Sequence, residues 1–495
     1  MPVNFHQIPS NERVPLFYAE IDPSHANTGA ATIRALMIGQ MLAAGAAAAD
    51  TPEISQGAAD ARTRYGQGSI LAAMIDTYRK NDAFGEVWAL PVADAGGATA
   101  ATGSIAFSAA TAAGVLSLYV AGVRVAVPVT SGQTGAQIAT AVIAAITAAA
   151  DLPVTAAVDG VDTTKVNLTA RNKGLAGNDI DLRLNYLGSA AGEATPAGVA
   201  PVITAMAGGL TNPTLTTALA NLGDEPFEVI AMPYTDATSI AALTAFLNDV
   251  AGRWSWQVQE FGHCVIANRG SYSGQTTFGT ALNDQHASVI GFNDSPTPKW
   301  KWAAAVAAQA AVSVRADPAQ PIRSVVLQDV LAPPLASRFS LSQRNSLLFD
   351  GISTFSVDPS GAVVLEKLIT TYQKNAFGSP DDAYLDAETL FNLAFVLRQL
   401  KAVITSKYGR VKLAADGTAL PAGTGVVTPS MIKADLIAKY RELEAGGFVQ
   451  QSDVFAAALI VEQNATNPNR IDVLWPGVLI DRLDVFALLA QFRLN

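Results

Sequence analysis

Along this chain, short runs in which nearly every residue is apolar alternate with longer stretches whose apolar positions recur every three or four residues. Residues 35–38, 264–267, 288–292 and 324–327 are of the first kind and predict buried strands. Residues 69–79 and 301–315 are of the second kind and predict helices. A strand with no polar alternation must be covered on both faces, so the pattern predicts an α/β core sheet between two layers of helix.

One internal echo organises the core. Glu86-Val-Trp-Ala-Leu-Pro-Val-Ala-Asp94 and Glu228-Val-Ile-Ala-Met-Pro-Tyr-Thr-Asp236 share the pattern E-V-x-A-(L/M)-P-x-x-D. In each, an apolar run ends near a proline, which cannot donate to a sheet ladder. The acidic residue that follows is placed to start a loop or cap a helix. After Asp236, residues 239–250 carry Ile240, Leu243, Phe246, Leu247 and Val250 at helical spacing.

Between the echoed strands the pattern changes. Residues 94–209 hold 12 charged residues in 116, three aromatics (Phe107, Tyr119, Tyr186) and no tryptophan. Ala95-Gly96-Gly97 and Ala207-Gly208-Gly209 bracket the segment as flexible crossings, which predicts a domain, 95–209, inserted into the core. Within it, Val123, Val125, Val127 and Val129 alternate as in a strand, with Ala121-Gly122 as the turn of a hairpin. A helix over 136–150, strands at 154–158 and 165–170 about Asp159-Gly160, and a strand over 180–186 complete a small α+β module.

The C-terminal third, 336–478, follows Pro333-Pro334. Its predicted elements are a strand at 363–365, a long helix over 383–408, and a second helix that opens at Thr428-Pro429 and stops at Gly446-Gly447. Strands at 455–462 and 471–475 flank an Asn-rich turn. The division is therefore an N-terminal arm (1–25), an α/β core (26–94 and 210–335), the insertion, an α+β C-terminal domain and a C-terminal arm (479–495). Both arms are apolar where termini are normally polar. Phe5, Val14, Leu16 and Tyr18 at one end, and Leu483, Val485, Leu489 and Phe492 at the other, are the expected contacts with neighbouring copies.

Composition strengthens that expectation. Half of the 495 residues are hydrophobic and only 15% are charged, so much surface is expected to be buried against other chains. The net charge of −10, with no Lys/Arg cluster, argues against a nucleic-acid partner. No basic region followed by an apolar run opens the chain, and the longest apolar stretch, 136–150, is too short to span a bilayer, so neither secretion nor direct membrane insertion is expected. The single cysteine, Cys264, excludes an intrachain disulfide and is expected as core filler.

Candidate chemistry is weak throughout. Gly66-Gln67-Gly68 has Leu71 where a dinucleotide fingerprint needs its third glycine, and reads as a helix-opening turn. Gly270-Ser-Tyr-Ser-Gly274 places Tyr272 where a nucleophile elbow needs serine, and reads as a polar loop. His263 and Cys264 adjoin on a strand and so face opposite sides, while His6, His25 and His286 share no ligand spacing. Asn178-Asp179-Ile180-Asp181 and Asp381-Asp382 with Asp386 lack the oxygens of a calcium loop; the second group is expected at the start of the long helix. No catalytic, cofactor-binding or metal residue is assigned.

Several stretches, taken in order, resemble the sheath subunit of contractile bacteriophage tails. They are Asp317-Pro-Ala-Gln-Pro321, Asn345-Ser-Leu-Leu-Phe-Asp-Gly-Ile-Ser353, Leu368-Ile-Thr-Thr-Tyr372, Asp382-Ala-Tyr-Leu-Asp386, Val427-Thr-Pro429, Glu462-Gln-Asn464 and Asn469-Arg-Ile-Asp472. The resemblance runs from about Ile33 to the C-terminus, the insertion excluded. The opening Asn4-Phe5, Ile8-Pro9-Ser10 and Arg13-Val14-Pro15 resembles the Mu-like branch. The family implies hexameric rings stacked helically around a tail tube, with baseplate and tail terminator as further partners. It implies assembly in the host cytoplasm, residence in the virion tail and contraction that drives the tube through the host envelope for genome ejection. It also implies an outward-facing insertion, arms that add strands to neighbouring subunits, and no cofactor. Two other classes remain open on the residues alone: an α/β nucleotide-binding enzyme and an Ala/Thr-rich surface adhesion protein.

Overall fold

The computed structural model describes residues 33–419 and 425–493. Five parallel strands form its centre: Arg34–Gln40, Glu86–Val92, Val229–Ala231, His263–Arg269 and Ala287–Phe292, here the first to fifth in chain order. Across the sheet they run fifth, fourth, third, first, second, with the short strand Glu53–Ile54 antiparallel on the outer edge. This is the doubly wound order in which the chain builds outward in one direction from the first strand and then in the other.

Both faces are covered, as continuous apolar strands require. Ala35, Met37, Val87, Ala89, Val229 and Val265 face the helices Ile70–Asn81 and Lys299–Ala316. The alternate residues Leu36, Ile38, Leu90, Ile230, Cys264 and Ile266 face Ala237–Leu247 and its neighbours. Trp302 stacks on Phe292 with ring centroids 4.6 Å apart, both fully buried. Local signals set the helix starts: Ser69 accepts from the Ala72 N–H, and Asp236 from the Ser239 N–H.

The echo acquires a structural meaning. Its two strands flank the first strand, and the two glutamates hold the same residue from either side. Glu86 pairs with the Arg34 guanidinium at 2.9 Å, and Glu228 accepts the Arg34 N–H at 2.8 Å.

Residues 95–209 build two sheets of their own. One is four-stranded (Val202–Ala207, Thr102–Ala106, Lys165–Ala170, Val154–Val158) and one three-stranded (Val123–Val129, Gly114–Val120, Leu182–Leu184). Helix Gly135–Ala148 packs on them from a reciprocal Thr134–Gln137 cap. Ala121 and Gly122 both have positive φ (51° and 79°), the two-residue turn whose twist suits a hairpin. The bracketing glycines do not leave a loose tether. Thr99 and Leu210 pair backbone to backbone, Asn178 exchanges two hydrogen bonds with Gly209, and the apolar interior of the segment is continuous with the sheet face above.

Several local expectations are corrected. Residues 324–327 contribute not a core strand but the pair Val325–Val326, antiparallel to Val363–Lys367 in a separate three-stranded sheet. Ser271 caps a helix, Tyr272–Thr280, where a loop was expected. Residues 455–458, expected to begin the strand at 455–462, instead end a helix, Ser452–Ala458, because Phe455 and Leu459, four apart, both enter the core beside Tyr440; the strand itself starts at Ile460. The long helix begins at Ala387, so Asp386 stands at its N-cap while Asp381 remains in the preceding loop, accepting from Tyr372 Oη at 2.7 Å.

Candidate assembly surface

The C-terminal part of the chain has a small apolar centre built on Tyr440 from helix Pro429–Ala445. Its ring stacks on Phe455 at 3.7 Å, and Trp475 leans on both. The Tyr440 hydroxyl donates to the Gln450 carbonyl (2.7 Å) and accepts from the Val478 N–H (2.9 Å). It thereby joins the two short strands Val449–Gln450 and Val478–Leu479, which pair antiparallel. The hairpin Ile460–Gln463 with Ile471–Leu474 pairs with no further strand among the described residues, and Ile460, Val473 and Leu474 are exposed on it. A two-stranded ribbon with apolar side chains is marginal alone, and its free edges are templates for another strand.

Beyond Leu479 the chain is pinned once more and then released. Arg482 donates to Asp386 (3.0 Å) and to Thr389 (2.6 Å) at the N-terminal end of the long helix. Lys367 bridges Asp386 (2.9 Å) and Asp484 (2.5 Å), and Arg323 also donates to Asp484 (3.0 Å). Alternating charges thus tie the root of the arm to the three-stranded sheet and the long helix. Glu388 lies beneath them, accepting from the Ile322 N–H, and burial pushes its carboxyl up to about 7.

At and past this clamp the expected contact residues stand in the open: Leu483 is 69% exposed, Val485 80%, Leu489 83% and Phe492 83%. Phe486 and Leu488 are equally exposed and were missed, although they belong to the same apolar run. The clamp was missed too. Its signal was the alternation of Arg482 and Asp484 with Leu483 and Val485, which turns charges to one side and apolar groups to the other. Phe5, Val14, Leu16 and Tyr18 lie outside the described residues. Beside the clamp, Val485, Leu348, Phe349, Tyr372 and Leu385 line a groove of about 710 Å³.

His6 and His25 lie outside the described residues; the other residues weighed for chemistry are engaged elsewhere. His263 and Cys264 face opposite sides of the sheet. Burial holds the His263 ring neutral, down to about 3, with Nε2 2.7 Å from Ser288 Oγ, and pushes the Cys264 thiol up. Asp179 pairs with Arg269 and Asp181 with Arg183. Among the described residues no group of three or more His, Cys, Asp or Glu is placed to hold a metal, and no helix is long and apolar enough to cross a membrane.

Comparison with known proteins converges on one kind of assembly. The family model of the phage tail sheath protein central domain matches residues 208–371, and that of the phage tail sheath C-terminal domain matches 379–493. The chain is 38% identical over 497 residues to the Mu-like prophage FluMu tail sheath protein of Haemophilus influenzae, covering 100% of both. The sheath tail protein of Desulfitobacterium hafniense shares the fold, with a TM-score of 0.50 at 14% identity over 95% of this chain and 97% of that one. For the sheath tail protein of Listeria innocua the TM-score is 0.47 at 15% identity, over 91% and 92% of the two chains.

Proposed function

We propose that this chain, which belongs to the phage tail sheath family and to its Mu-like branch, polymerises as stacked hexameric rings around a tail tube and contracts to drive that tube through the host envelope. The observation that carries this reading is the full-length identity to a Mu-like tail sheath protein. In this reading the chain is a structural part and not an enzyme. It takes no cofactor, and it meets copies of itself, the tube, the baseplate and the tail terminator. It is made in the host cytoplasm and ends in the virion tail, where contraction ejects the genome.

The division into a core, the insertion 95–209, a C-terminal domain and two arms belongs to the same proposal, with the insertion facing outward. The apolar arm beyond Asp484 and the free edges of the hairpin Ile460–Gln463/Ile471–Leu474 support strand addition between neighbours. Main-chain bonds then give affinity and alternate side chains give register. Contacts that pass head to tail without closing generate a helical stack from one kind of subunit.

Negative-stain microscopy of the purified chain tests the reading. The full chain is expected to give rings or hollow tubes. Chains lacking residues 1–20 or residues 485–495 are expected to give folded, soluble monomers. Tubes of undiminished length from both shortened chains would sink the proposal.

A further inference from the structure

In a doubly wound sheet the carboxyl ends of the strands open a crevice where the build direction reverses, and that crevice is where such folds receive ligands. Here it lies between the first and third strands, which are neighbours. Loop 171–179 of the insertion covers it. Asn172 Oδ1 accepts the N–H of Ile70, the first residue of the helix Ile70–Asn81 (3.0 Å), and its Nδ2 donates to the Met41 carbonyl (2.9 Å) and to Asp94 (3.1 Å). The Lys173 N–H donates to Asp94 (3.0 Å), and its carbonyl accepts from Gln40 Nε2 (2.6 Å).

Asp179 lies at the end of the fourth strand. One carboxylate oxygen accepts from Arg269 Nε and the other from the Lys299 N–H, both at 2.5 Å. Lys299 opens the helix Lys299–Ala316, whose N-cap position is Pro298 and which has no side-chain cap of its own. The Lys299 ammonium donates to Thr235 Oγ1 at 3.0 Å. Burial pulls that ammonium below its ordinary value, while Asp179 and Asp236 oppose the fall. Asp179 is 8% exposed at its side chain, and Arg269 lies over the Phe292 ring at 5.0 Å.

We propose that loop 171–179 is a captive ligand of the core sheet, with the Asp179 carboxylate filling a site for a small oxyanion formed by Arg269 and the start of the helix Lys299–Ala316. The insertion thereby closes a position at which the core could have received an external anion. It is also locked to the core by directional, charge-assisted bonds, so the two bodies move as one. This stands independently of the sheath reading, since it concerns contacts within one chain.

Formate, the smallest carboxylate, is the probe. In Asp179→Ala the removed group leaves a carboxylate-sized gap facing Arg269 and the Lys299 N–H. The full-length variant is expected to melt several degrees below the parent and to recover at least half of that loss in sodium formate, relative to sodium chloride at equal ionic strength. The parent and Asp224→Ala, an exposed turn variant, are expected to respond alike to the two salts. An unchanged melting temperature, or equal effects of formate and chloride on Asp179→Ala, overturns the proposal. Should that variant not fold, hydrogen exchange on Asp179→Asn decides. The Lys299 amide is expected to exchange about tenfold faster or more once its charged acceptor is lost. Unchanged protection there overturns the proposal equally.

Discussion

At the carboxyl end of the core sheet, Asp94, Asp179 and Arg269 each meet a partner from a distant part of the chain. At the C-terminal arm, six large apolar side chains (Leu483, Val485, Phe486, Leu488, Leu489 and Phe492) stand exposed. The first region is polar and closed; the second is apolar and open. Hydrogen bonds and ion pairs are directional and fix a single geometry. Apolar burial is non-directional and survives a change of angle. This division of labour suits the proposed sheath, in which a subunit stays rigid inside while its neighbours rearrange around it.

That contrast can be broken or sharpened by mutation, and four expected outcomes run from the largest to the smallest change in monomer stability. Trp302→Ala removes the ring stacked on Phe292 in the packed interior and should cost about 3–5 kcal/mol in chemical denaturation. A cost under about 1 kcal/mol would mean that the sheet face is loosely packed. Arg482→Ala unties the root of the arm. It should cost roughly 2–3 kcal/mol, below the figure for a fully buried pair because Lys367 still neutralises Asp386. Limited proteolysis should then cut the chain before Asp484, where the parent resists.

The third outcome is a pH dependence. Burial raises the Glu388 carboxyl from its ordinary value of 4.5 to about 7, so the folded state favours the protonated form. Its contribution is fully present below about pH 4.5 and is lost as pH rises through 7. Glu388→Gln should flatten the pH dependence of stability across that window. The same slope in parent and variant would assign it to other groups. The smallest change in the monomer is expected for Phe486→Ser. Its melting curve should match the parent within about 0.5 kcal/mol, as for an exposed side chain without a partner. Tubes visible by microscopy should nevertheless be lost or shortened. Full-length tubes from this variant would remove the arm's apolar face from the assembly.

Much of the scaffold was legible because its signals are local. The apolar runs at 35–38, 264–267 and 288–292 became sheet strands, Ser69 capped its helix, and Ala121-Gly122 turned its hairpin. The misreadings came where a short apolar run is compatible with two periods. Residues 452–458 fold as a helix because their place beside Tyr440 rewards the four-residue spacing of Phe455 and Leu459. Residues 324–327 look like the core strands, yet Val325 finds Leu365 and Val326 finds Val364 in another sheet. Of the arm contacts, Leu483, Val485, Leu489 and Phe492 were legible as an apolar terminus. The alternation of Arg482 and Asp484 with apolar neighbours stood in the sequence, but their partners Asp386 and Lys367 did not, since they lie some hundred residues away along the chain.

By itself, then, the sequence determined the periods, the caps, the turns and the excess of apolar surface at the C-terminus, because each depends on residues within about one helical turn of one another. It also carried the family, through residues spread in order along the chain. Only the tertiary structure decided that residues 171–179 pack on the carboxyl ends of the sheet strands. The pairing of Asp179 with Arg269, and of Asn172 with Asp94, exists only once the doubly wound order has brought the strand ends together.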